Sequence, residues 1–97
     1  MSVDYIFLMH DDAVADDTAW EPYLRTLRRA GVFQGGSEIG RGASVRKQGA
    51  PAALSNHIVG FIRITADSLD HAKSWLVGNP VFEAGGTVEI RELPQTD

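Results

Sequence analysis

Residues 3–9 read Val-Asp-Tyr-Ile-Phe-Leu-Met. A short run rich in aromatic and branched apolar residues is a strand pattern. Successive strand side chains point to opposite faces. Here Tyr5, Phe7 and Met9 point one way and Ile6 and Leu8 the other, so both faces of the strand are apolar. A sheet covered by helices on one face only leaves half of such a strand without apolar cover. The rest of the chain must therefore explain what covers each side.

Working outward, Thr18-x-x-Glu21 is a capping-box pattern opening a helix, with Pro22 in its first turn. Trp20, Leu24 and Leu27, with Tyr23 and Ala30 beside them, form its apolar stripe, and Gly31 stops it. Val32–Gly36 begins a second strand and Ala43–Lys47 resumes it, with bends at Gly35, Gly36, Gly40 and Gly42. Residues 48–57 form a loop. Ile58–Thr65 is the third strand. Asp67-x-x-Asp70 caps a second helix carrying Leu69, Ala72, Trp75 and Leu76, which ends at Gly78-Asn79-Pro80. Val81–Gly86 connects, with or without a helical turn, to the last strand, Thr87–Leu93.

The order β-α-β-β-α-β predicts an α+β fold of ferredoxin-like type: a four-stranded antiparallel sheet with two helices on one face. The chain has 97 residues, which suits one domain over 1–97, its core over about 3–93. In the third strand Ile58, Ile62 and Ile64 share a face with Gly60, against Val59, Phe61, Arg63 and Thr65. In the last, Val88 and Ile90 oppose Thr87, Glu89 and Arg91. The simplest assignment puts the isoleucine and valine set under the helices. The mixed set then meets a second sheet, and two-fold self-pairing as a dimeric α+β barrel supplies it.

Composition narrows the function classes. There are no cysteines, which excludes disulfides, thiolate nucleophiles and iron–sulfur clusters and fits a reducing, cytoplasmic setting. The formal net charge is −4, and no basic face for nucleic acid is evident. Arg25, Arg28 and Arg29 sit where cations meet the negative end of a helix dipole. No run is long enough to span a bilayer, and no secretory leader is visible. The glycines form neither a dinucleotide fingerprint nor a phosphate loop.

His10 closes the first strand beside Asp11 and Asp12, either as a general base or as an exposed turn residue. His57 enters the third strand after the loop, either facing a pocket opposite His10 or bonding a loop carbonyl. His71 belongs on the helix surface. A metal on His10-Asp11-Asp12 is not expected, since adjacent residues rarely converge on one ion, and no cofactor is expected. Arg63, Glu89 and Arg91 alternate onto the face assigned to the dimer interior. They form either a cross-strand ion pair or an arginine fork for an anionic organic ligand. Tyr5 and Phe61 either wall that pocket or pack the interface.

The stretches Ala66-Asp67-Ser68-Leu69-Asp70-His71-Ala72 and Gly78-Asn79-Pro80-Val81-Phe82-Glu83-Ala84-Gly85-Gly86-Thr87-Val88-Glu89-Ile90-Arg91 strongly resemble the YCII-related family and its DGPF-type relatives. The resemblance implies a dimeric α+β barrel. It also implies small lyase- or isomerase-like chemistry by a His–Asp pair, the His on the first helix and the Asp before a Pro after the second. Here the first helix has no histidine and Asn79 precedes Pro80. Ser55-Asn56-His57 stands where the DGPF tetrapeptide would fall. Two functions follow. The first is a non-catalytic small-molecule-binding or assembly domain with its pocket in the dimeric barrel. The alternative is a cofactor-free lyase- or isomerase-type enzyme acting on a small organic acid or ring compound by proton transfer from His10 or His57.

Overall fold

A computed structural model describes residues 2–95 of the chain. β1 (Val3–His10) and β3 (Ile58–Ala66) are the two inner strands of a four-stranded sheet. β2 (Phe33–Glu38) lies outside β3 and β4 (Val88–Leu93) outside β1, giving the order β2-β3-β1-β4, with every pairing antiparallel. Helix α1 (Trp20–Arg29) follows β1, and α2 (Leu69–Ser74) and the short α3 (Pro80–Glu83) follow β3. This is the ferredoxin-like α+β arrangement that the strand and helix order predicts.

The register decides which side of each strand the helices cover. Tyr5 lies opposite Ile64, and Phe7 opposite Ile62 and Ile90. These residues share the helix-covered face, where Tyr5, Phe7, Met9, Ile62 and Ile64 are buried. Tyr23 and Leu27 of α1, Ala72 of α2, and Leu76 and Val81 close the core above them. The isoleucine set therefore sits under the helices as expected, and the first strand contributes its aromatic set. Ile6, Leu8, Phe61 and Leu93 stay half-buried on the open face. Tyr5 is a correction: its partner is Ile64, so it belongs to the core and does not stand beside Phe61 in a pocket.

Three local details also differ from expectation. Asp16, not Thr18, opens the first helical segment: its carboxylate accepts from Thr18 N at 3.0 Å and caps a 3-10 turn, Asp17–Ala19, ahead of α1. Glu21 is drawn instead into an i,i+4 pair with Arg25. Ser68 rather than Asp67 caps α2, accepting from His71 N at 3.1 Å. Ala43–Lys47 does not resume β2. The ladder between β2 and β3 runs out at Glu38 opposite Gly60, two residues into β3, so residues 43–47 have no strand to pair with.

Two of the glycines at positive φ shape the strands and helices directly. Gly31, at φ +76°, ends α1 in the left-handed region. Gly35, at φ +117°, carries the register shift of β2 against β3. The Tyr23 hydroxyl donates to the Trp75 carbonyl at 2.8 Å and ties α1 to the end of α2. Burial pushes the Tyr23 phenol up to about 12, opposed by the nearby Asn79 side chain, so it stays a neutral donor. Among the described residues, no helix is long and apolar enough to cross a membrane.

Candidate functional site

β1 ends in an irregularity between Met9 and His10, where the register against β3 slips. Bulges re-aim side chains. His10 N donates to Thr87 O at 3.0 Å and Asp11 N to His57 O at 2.8 Å, so the end of β1 is laced to the starts of β4 and β3. This brings three side chains together at one end of the open face. His10 Nε2 lies 2.6 Å from Glu89 Oε1, and the His10 and His57 rings meet edge to face at 5.0 Å. The His10 side chain is 18% exposed and that of Glu89 38%, so solutes can reach the group.

Asp12 holds this corner from outside. Its carboxylate accepts from Thr87 N at 2.8 Å and from Thr87 Oγ1 at 2.6 Å. The hydroxyl bond chiefly, then the backbone one, holds the Asp12 carboxyl below the usual carboxylate range. A lowered carboxyl stabilises the fold above that range and loses its contribution as pH falls through its own value. Asp12→Ala should therefore melt a few degrees below wild type at pH 7, with the two curves converging in acid, where the carboxyl is protonated in folded and unfolded chains alike. Thermal melts at neutral and acidic pH check this, and a gap persisting in acid would assign the effect to something other than the ionised carboxylate.

The second feature lies on the helix-covered side. Trp20, Leu24 and Arg28 of α1 face Phe33, Gly36 and Glu38 of β2 across a cleft of ≈ 390 Å³, floored by Met9 and Ile62. That size is within the range of small-molecule pockets. The Arg28 guanidinium stands over the Phe33 ring, 5.1 Å from its centre. A smaller cleft of ≈ 230 Å³ shares Met9, Trp20 and Glu38 with the first and continues to His10 and Asp11. Among the described residues, neither Arg28 nor Glu38 belongs to an ion pair.

Of the residues singled out from sequence, His10, His57 and Glu89 come together. The carboxylate beside His10 is Glu89, not its chain neighbours Asp11 and Asp12. Arg63 and Arg91 flank Ile6 on the open face, while Phe61 and Glu89 flank Leu8. Among the described residues Glu89 pairs with His10, and neither Arg63 nor Arg91 belongs to an ion pair within the chain. Phe61 also contributes to the wall of the larger cleft. Trp20, Leu24, Arg28, Phe33 and Glu38 escape a sequence reading, which sees packing residues and a helix-dipole cation. Their one legible signal is spacing: Trp20, Leu24 and Arg28 recur every fourth residue along α1.

Fold and site together define a ferredoxin-like α+β domain with a His–Glu–His cluster at one end of its open sheet face and an apolar, arginine-edged cleft beneath α1. The chain belongs to the YCII-related domain family, whose model matches residues 7–96. Among solved structures it is similar to 5-chloro-2-hydroxyhydroquinone dehydrochlorinase (TftG) from Burkholderia phenoliruptrix AC1100, in complex with 2,5-dihydroxybenzoquinone. The two chains are 17% identical, with a TM-score of 0.61 over 99% of this chain and 96% of the other, a likeness of fold. No curated protein matches the sequence.

Proposed function

We propose that this YCII-related protein is a small-molecule-binding domain, without catalysis of its own, that takes a flat organic acid into the cleft between α1 and β2. It works as a homodimer joined through the open sheet face. The observation that carries the reading is the cleft: Trp20, Leu24, Phe33 and Met9 give apolar walls, and Arg28 stands at the rim outside every ion pair among the described residues. Aromatic walls select flat rings, and a guanidinium selects a carboxylate or phenolate. TftG holds a hydroxylated quinone on the same fold, which supports a ring compound as the ligand class. The dimer rests on Ile6, Leu8, Phe61 and Leu93, half-exposed on a face that no helix covers. Arg63 and Arg91 then lie within the interface, where each finds an acidic partner across the two-fold or holds an anion.

Trp20 reports on the cleft. In a Trp75→Phe background it is the only tryptophan, since the chain has two. Titration with 4-hydroxybenzoate is expected to change its emission saturably. Arg28→Ala should weaken binding about tenfold, the worth of one charge-assisted hydrogen bond, and leave binding of neutral phenol nearly unchanged. No saturable change up to about 10 mM overturns the reading.

The 2.6 Å contact between His10 and Glu89 favours a second reading. In it Glu89 orients the imidazole and His10 moves a proton on a ligand reaching the smaller cleft, as the lyase- or isomerase-type alternative requires.

A further inference from the structure

We infer that His10, His57 and Glu89 form a three-ligand site for a divalent transition-metal ion, Zn²⁺ being the representative case. The inference goes beyond the cleft reading and does not depend on the dimer, because all three groups belong to one chain.

One ligand atom from each residue lies within 4.8 Å of the other two. Donors bound tetrahedrally to a single ion at 2.0–2.1 Å stand about 3.3 Å apart. His10 Nε2 and Glu89 Oε1, hydrogen-bonded at 2.6 Å, need to part by less than about 1 Å to admit one. His57 is exposed at the mouth of β3, so its ring can turn the remaining distance without moving the strand. The backbones are held independently of any ion. His10 N bonds Thr87 O at 3.0 Å and Asp11 N bonds His57 O at 2.8 Å, so the ligands come from three segments already fixed together.

The donor set decides the class of ion. Two imidazoles and one carboxylate suit zinc, iron or nickel, whereas magnesium and calcium take oxygen ligands. Three protein ligands leave coordination positions open, as in catalytic rather than structural sites. The chain's net charge of −4 also favours a cation. Proton transfer by His10 uses two of the three groups and leaves His57 idle, although its ring meets that of His10 at 5.0 Å. A metal uses all three. Unlike the adjacent residues His10-Asp11-Asp12, these ligands converge from the ends of three strands.

The test is a Zn²⁺ titration of the full chain, stripped with a chelator, by isothermal titration calorimetry. Wild type is expected to bind one Zn²⁺ per chain, more weakly on acidification, because protons compete for the imidazoles. His57→Ala should weaken binding by at least about 100-fold, beyond the loss of an outer-shell partner, and Glu89→Gln should weaken it likewise. His57 is exposed, so its variant keeps the fold; near-ultraviolet circular dichroism confirms that. His71→Ala, which alters the remaining histidine of the three, should stay within about twofold of wild type. Absence of stoichiometric binding by wild type, unchanged affinity in His57→Ala, or an equal loss in His71→Ala overturns the site. Binding of 4-hydroxybenzoate to the cleft, measured on the same stripped protein, separates failure of this inference from failure of the cleft reading.

Discussion

Phe7→Ala is expected to lower the free energy of unfolding by about 3–5 kcal/mol. Phe7 is fully buried, at 0% exposure, on an inner strand. It lies between Ile62 of β3 and Ile90 of β4, in the core cluster that also contains Leu27 of α1. Removing its ring takes apolar area from the core and leaves a cavity that paired strands on both sides cannot collapse into. A domain of this size has about 5–15 kcal/mol to lose, so the variant should sit near the edge of folding. Urea unfolding followed by circular dichroism gives the number. A loss below about 1 kcal/mol would show that the core does not depend on this ring.

The next residue should behave in the opposite way. Leu8→Asp is expected to leave the monomer folded and to break the dimer, raising its dissociation constant about a thousandfold. Leu8 points to the open face, in the middle of the apolar patch between Phe61 and Glu89. In an isolated chain an aspartate there is half in water and costs little. In a two-fold pairing each copy carries the carboxylate into the interface, where desolvation and like-charge repulsion add. Light scattering coupled to size exclusion at micromolar concentration reads the result. If wild type already runs as a monomer, the proposed dimer is wrong, while the cleft and the metal site keep their own tests.

The contrast between positions 7 and 8 shows where sequence information ends. Strand and helix order were legible because they rest on short-range signals: branched and aromatic runs for β1 and β3, the apolar stripe of α1, and Gly31 after it. The pairing of β2 was half legible. Its glycines marked the bend at Gly35, but nothing local shows that β3 begins too late to pair with Ala43–Lys47. Residues matching the YCII-related pattern were also legible, since that likeness is carried by the linear order of side chains from Ala66 to Arg91.

The site itself was legible only as separate residues. His10 and His57 stood out as titratable groups at strand ends. Glu89 stood out as a charge on a face otherwise assigned to burial. That they meet was not legible, because His10 and Glu89 are 79 positions apart and only the register of β1 against β4 joins them. The nearby carboxylates misled: Asp12 turns outward to hold Thr87. The cleft was hidden for a related reason, since Arg28 at the end of a helix looks the same whether it faces water or a pocket.

By itself, the sequence of this protein determined the order of its main strands and helices and the need to cover a strand that is apolar on both sides. Tertiary structure alone decided which side of that strand the helices took. An alternating pattern with no polar face is symmetric, and packing against Tyr23, Leu27 and Ala72 breaks the symmetry in favour of Tyr5, Phe7 and Met9. That choice leaves Leu8 on the open face and His10 on the same side, within reach of Glu89 and His57.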